Sequence, residues 1–210
     1  MEVQIKFYGD SDPMTLVCES LIAKDDGKTI AMGKKASREM LEEMLRMQAD
    51  LDAVIIKGRG HSYDQLYGNN SYDRAILDEL GELNHELKAE WCWWKSSQKP
   101  VVRERVLEEF VDVLHFSLSE ALATDHVGAC GGFNMASYII DRCLEHVADK
   151  DCEVDQGTDV LDIIDWGKEK GPALVKAVKL MNWLGFTLEE VFNAYKAKNA
   201  VNFQRQREGY

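Results

Sequence analysis

Residues 78 to 118 read DELGELNHELKAEWCWWKSSQKPVVRERVLEEFVDVLHFSL. Apolar residues recur at helical spacing on both sides of Pro100, so the stretch predicts two helices joined by a short loop. Each helix carries an acidic pair three residues apart, Glu79 with Glu82 and Glu109 with Asp112. Residues at that spacing project side by side. Leu80 and Leu83 flank the first pair, and Phe110 and Val113 the second, which places both at the edge of an apolar stripe. A short loop favours antiparallel packing, and the pairs would then face each other as a hard-oxygen cage suited to Mg²⁺ or Mn²⁺. Without a cation, four such carboxylates repel. The bland reading is that E-x-x-E is common on solvated helix faces and decorates the surface. Glu86, Glu90 and Glu108 read as solvated groups around the pairs, with Glu86 one turn from Glu82 and within reach of an ion.

Outward from this stretch the chain stays helical. Ser37 is an expected N-cap for a helix in which Leu41, Met44, Gln48, Leu51 and Ile55 share a face up to Lys57. Gly58 to Asn70 reads as a loop, and Ser71 as the cap of a helix running to about Ser96. The second helix of the pair is expected over Val101 to about Thr124, with further helices at Asn134 to Val147, about Asp159 to Lys168, and Pro172 to Leu184. Between them lie a glycine-rich turn near Gly128 and an acidic connector from Asp149 to Gly157. Thr187 and Glu190 form a T-x-x-E capping box at the start of the last helix. Only residues 1 to 36 break the pattern. Val3, Ile5 and Phe7 alternate, and Cys18 to Ala23 could pair with Thr29 to Met32 in a small β-ribbon. The expectation is a mainly α helical bundle over 37–210 behind an N-terminal extension, 1–36.

Composition narrows the function classes. The 210 residues suit one sizeable core, with 45% hydrophobic residues and a net charge of -12. Such acidity argues against a patch for duplex nucleic acid. Five cysteines, with no C-x-x-C spacing, read as reduced thiols in a cytoplasmic setting rather than disulfides or a zinc site. The N-terminus lacks the pattern of a signal peptide, and no run reaches membrane-spanning length.

Three further groups of residues bear on chemistry. Gln48 interrupts an apolar stripe and must find hydrogen-bond partners if buried. Its amide suits the edge of a nucleobase, but a structural bond to a neighbouring helix would serve as well, and the residues alone favour the latter. His115, three residues after Asp112, reads as a hydrogen-bonded core histidine or as a partner of the acidic pair. The end of the chain, KNAVNFQRQREGY, gathers Lys198, Asn199, Asn202 and Arg205 on a helix, offering amides for a base or sugar and cations for phosphate. Its plain alternative is an exposed polar helix end. Trp91, Trp93 and Trp94 read as core or interface packing.

Four segments, in order, carry a resemblance: MLRMQADLD at 44–52, ELGEL at 79–83, EEFVDVLHF at 108–116 and YKAKNAVNFQRQREGY at 195–210. Together they resemble the all-α nucleoside triphosphate pyrophosphatase superfamily, and within it the dimeric dUTPases and related phage dCTP/dUTP diphosphatases. The paired acidic motifs mark the whole superfamily; the terminal KN-x-x-N-x-x-RQ-x-x-GY is narrower. The resemblance implies Mg²⁺ at Glu79, Glu82, Glu109 and Asp112; Mn²⁺ would suit the same cage, and Glu82 is the candidate base. It places Gln48 at the pyrimidine and Asp52 near the deoxyribose or base, with Lys198, Asn202, Arg205 and Tyr210 on the nucleotide. It implies a homodimer that hydrolyses dUTP to dUMP and pyrophosphate. A dCTP/dUTP diphosphatase, a MazG-like pyrophosphohydrolase and a non-catalytic helical interaction protein are the alternatives. The extension and the segment near 128–171 depart from the family pattern.

Overall fold

In a computed structural model of the chain, residues 28–128, 134–147 and 171–209 are described. All of the regular structure among them is helical: α1 Lys28–Arg59, α2 Tyr63–Gly68, α3 Ser71–Glu86, α4 Lys88–Trp91, α5 Arg103–Gly128, α6 Met135–Val147, α7 Ala173–Trp183 and α8 Leu188–Arg207. No helix among the described residues is long and apolar enough to cross a membrane.

The sequence of α5 explains its place at the centre. Val106, Phe110, Val111, Val113, Leu114, Leu118, Ala121 and Ala123 are all buried and lie on more than one side of the helix, as expected of a helix enclosed by its neighbours. It packs against α1, α2, α3, α6, α7 and α8. Ile76, Leu80 and Leu83 of α3 and Leu41 and Met44 of α1 are fully buried in the same core. Deleting one such leucine side chain costs roughly 2–5 kcal/mol. Near the end of α3, Glu86 pairs with Arg105 at the start of α5, whereas Asp73 at the start of α3 acts on Glu120 late in α5. The two helices therefore run antiparallel as expected, although the connection between them, 87–102 with α4 inside it, is longer than the short loop of the sequence reading.

The last two helices are fastened at their starts. Thr187 Oγ1 accepts from the Glu190 amide at 3.2 Å, and Glu190 returns the bond by accepting from the Thr187 amide at 2.8 Å, so the expected capping box is present. Glu190 also pairs with Arg103 at 2.9 Å, and Arg103 lies 4.4 Å from the centre of the Phe186 ring. This clasp holds α8 against the start of α5. Pro172 caps α7 rather than opening it, and the Ala173 amide donates to Glu120 of α5 at 3.3 Å.

Several boundaries differ from the sequence reading. Helix α1 begins at Lys28, so Ser37 lies inside it. Lys35 with Glu39 and Arg38 with Glu42 are exposed i,i+4 pairs that carry the helix across Ser37. Thr29 to Met32 consequently fall in a helix, and the remainder of the expected ribbon, 1–27, lies outside the described residues. So do the acidic connector and the helix expected near 159–168. The loop after α1 contains α2, capped by Ser62, whose hydroxyl accepts from the Gln65 amide at 3.2 Å. Asn70, not Ser71, caps α3, with a left-handed φ of 53° that asparagine tolerates better than most residues. Helix α3 stops at Glu86 instead of reaching Ser96. Trp and Cys are modest helix formers, and the Trp91 indole turns back to donate to the Asn84 carbonyl at 3.0 Å. Trp91, Trp93 and Trp94 are 39%, 87% and 57% exposed, so they do not belong to this core.

Candidate active site

Antiparallel α3 and α5 bring the two acidic motifs together. Carboxylate oxygens of Glu79, Glu109 and Asp112 lie within 4.8 Å of one another. Glu82 is exposed and outside that triplet, yet close enough for its charge to act on both Glu79 and Glu109. Burial first, then the charges of Asp112, Glu82, Asp78 and Glu109, push the Glu79 carboxyl up to about 7. Burial also raises Glu109, against the opposing pull of Arg105.

Two cations attend this centre. Lys198 of α8 pairs with Asp112 Oδ2 at 2.6 Å, and Arg105 reaches Glu109 Oε1 at 3.2 Å, as well as Glu86 and Glu108. Each of those carboxylates keeps a second oxygen, and Glu79 has no ion-pair partner among the described residues. Three hard oxygen donors that meet within one coordination sphere, where the charges of Asp112 and Glu109 add to burial in raising Glu79, suit a divalent ion such as Mg²⁺. The residues present therefore fit the metal that the sequence implied.

One turn beyond Asp112, α5 enters a buried polar network. Gln48 is 3% exposed and Asp52 6%. The Gln48 amide nitrogen donates to Asp52 Oδ1 at 2.8 Å and to Ser119 Oγ at 3.0 Å. Its oxygen accepts from Tyr195 Oη at 2.9 Å and meets His115 Nδ1 at 2.7 Å. Ser119 donates to Asp52 Oδ1 at 2.9 Å, and Tyr63 donates to Asp52 Oδ2 at 3.3 Å. The four hydrogen-bonding positions of the Gln48 amide are thus occupied by the protein itself. Burial raises Asp52 to about 6, despite the bonds from Gln48, Ser119 and Tyr63 that favour its charged form. His115 is buried and pushed down to about 3 by burial and then by the charge of Lys198, so it is neutral at neutral pH. Beside this network, His115 Nε2 and the Tyr72 hydroxyl, which also feels the charge of Asp52, are buried without a hydrogen-bond partner among the described residues.

The expected site residues are placed unevenly. Glu79, Glu109, Asp112 and Lys198 form one group, and Gln48 and Asp52 another. Asn202 and Arg205 follow Lys198 at spacings that keep them on one face of α8. Tyr210 lies outside the described residues. Sequence reasoning missed Tyr195, Ser119, Tyr63 and Arg105. Tyr195 reads as apolar stripe in the sequence, although its i+4 neighbour Asn199, 2% exposed and donating to the Tyr195 oxygen at 3.4 Å, signals a polar side to that face.

A protein-family model described as dUTPase matches residues 40–210. No curated protein and no solved structure matches the chain.

Proposed function

The chain belongs to this dUTPase family, and from that premise we propose that it is a Mg²⁺-dependent diphosphatase converting dUTP to dUMP and pyrophosphate. The observation that carries the reading is the meeting of Glu79, Glu109 and Asp112 beside Lys198, the first residue of the terminal motif. Acidic ligands and the phosphate-binding helix converge on one place, as a triphosphate with its counter-ion requires.

Each side chain has a role in this reading. Glu79, Glu109 and Asp112 hold Mg²⁺, with Glu82 at their edge. A bound Mg²⁺ would neutralise the triphosphate and ease deprotonation of an attacking water. Glu82, exposed to solvent and flanked by the other carboxylates, takes the water's proton as general base. Lys198 and Arg205 balance phosphate charge, and Asn202 and Tyr210 bind the nucleotide. Lys95, which follows the exposed Trp93 and Trp94, is assigned to the phosphate charge as well. Asp52 lies toward the deoxyribose or base. A homodimer is part of the same proposal, tested by light scattering.

One observation favours a wider base preference, dCTP as well as dUTP. The Gln48 amide is saturated by protein groups and has no bond left to give a uracil edge.

Pyrophosphate release from dUTP, dCTP, dTTP and UTP, with and without Mg²⁺, tests both statements. Mg²⁺-dependent release from dUTP that falls at least ~10²-fold in Glu82→Gln is expected. Release from none of the four would leave a non-catalytic helical protein as the better reading. Full activity in Glu82→Gln would remove the base assignment alone.

A further inference from the structure

The hydrogen bonds around Gln48 determine where His115 carries its proton. An ionised carboxylate only accepts, so Asp52 Oδ1, 2.8 Å away, obliges Gln48 to turn its NH₂ toward it. Ser119 is satisfied by the same orientation, since its hydroxyl donates to Asp52 and its oxygen accepts from Gln48. The amide oxygen then faces His115 Nδ1 at 2.7 Å, and an amide oxygen also only accepts. Nδ1 must be the protonated nitrogen. A neutral imidazole has one such proton, so Nε2 is left with a bare lone pair.

That nitrogen is buried without a hydrogen-bond partner among the described residues, on a side chain 5% exposed. The ring cannot readily turn to hide it. One edge is tied to Gln48, and the face stacks on Tyr195 with centroids 4.5 Å apart and planes 30° apart. Its position is also informative. His115 follows Asp112 by one turn of α5 and lies within the field of Lys198, which is itself bound to Asp112. A buried acceptor left open one turn from the acidic centre is unfavourable unless a donor fills it.

We propose that His115 Nε2 is a substrate-binding acceptor, taking a hydrogen bond from an N–H or O–H of the nucleotide, and that Gln48 serves the nucleotide indirectly by fixing the His115 tautomer. This rests on the nucleotide reading above and deepens it. A Mg²⁺-bound triphosphate is ruled out as the group bound there, because at pH 8 it is fully ionised and has no proton to donate. The shared chemistry is a neutral donor, with two sources on dUTP: the ring N3–H and the sugar 3′-hydroxyl. Asp52 and Ser119 become positioning residues that set the amide, which in turn sets the imidazole.

The test uses the full chain with ¹⁵N-labelled histidine. In the free protein at pH 8, His115 should show protonated Nδ1 and unprotonated Nε2. On saturation with Mg²⁺ and non-hydrolysable α,β-imido-dUTP, followed independently by calorimetry, the Nε2 resonance should move. His115→Phe keeps the stacked ring and loses the acceptor, and should weaken analogue binding about tenfold. The 3-N-methyl and 3′-deoxy forms of the analogue identify the donor: the form lacking it should lose about tenfold against the wild type and nothing against His115→Phe. A protonated Nε2 in the free protein would overturn the proposal. So would an analogue that binds while the Nε2 resonance stays still, the result expected if a buried water fills the position. An analogue that does not bind at all would overturn the nucleotide reading together with this one.

Discussion

The acidic centre and the amide network hang from the same helix, with Asp112 and His115 one turn apart on α5, yet they are built on opposite terms. In the centre, Glu79, Glu109 and Asp112 crowd like charges within 4.8 Å. In the network, Asp52, Gln48, Ser119, Tyr63 and Tyr195 satisfy one another, and the His115 ring leaves one nitrogen over. The centre stores repulsion that a cation would relieve. The network holds its shape without help. A site that must accept something charged and also present a fixed surface can divide the two tasks between adjacent turns of one buried helix.

Substitutions in the two regions should therefore fail differently. Glu79→Gln removes a charge from the crowd while keeping the side chain's shape. Turnover should fall ~10²–10³-fold, while unfolding at pH 8 becomes harder by about 1 kcal/mol after allowing for solvent screening at this half-exposed carboxyl. A variant that lost both activity and stability would show that the centre is a structural ion cluster. Gln48→Ala should act in the opposite sense on stability. It leaves Asp52, Ser119, His115 and Tyr195 short of buried bonds, and denaturant unfolding should report a loss of about 3 kcal/mol; an unchanged midpoint would deny the network its rigidity.

The pH dependence of folding sharpens the contrast further. Asp52 ionises at about 6 in the folded chain against 3.8 for the free side chain. Its folded value is raised, so its contribution to stability is complete below pH 3.8 and is lost as pH climbs through about 6. A displacement of that size corresponds to roughly 2–3 kcal/mol. Asp52→Asn should flatten the stability curve between pH 4 and 7 in urea titrations, and a curve that keeps its slope would place the titration elsewhere. The smallest effect is expected outside both regions. Thr187→Ala deletes a helix cap and should lower stability by about 1 kcal/mol in urea titrations, with turnover per folded molecule unchanged; a fall in turnover would show that the clasp at Glu190 and Arg103 also sets the position of Lys198.

The sequence made the acidic centre legible because its signal is local. Two i,i+3 pairs flanking apolar stripes, on successive long helices that pack antiparallel, were enough to bring Glu79 to Asp112. The capping box at Thr187 was legible for the same reason. The network was half hidden. Gln48 announced a buried polar group, but apart from Asp52 its partners come from helices 67 to 147 residues away, and Tyr195 and Ser119 look apolar or incidental in their own stretches. Boundaries failed where exposed pairs or a folded-back indole decided the outcome, as at Ser37 and after Glu86. Neither effect has a periodicity to read.

The 2.6 Å pair between Lys198 and Asp112 makes the last helix a party to whatever charge enters the centre. A cation that claims Asp112 competes with the ammonium, and an anion that draws the ammonium away frees the carboxylate. Each would then bind more tightly in the presence of the other, and by thermodynamic reciprocity the two gains are the same factor. Heterotropic coupling of this kind would tend to keep either charge from lodging alone, so the lysine would act as a coincidence detector written into a single salt bridge.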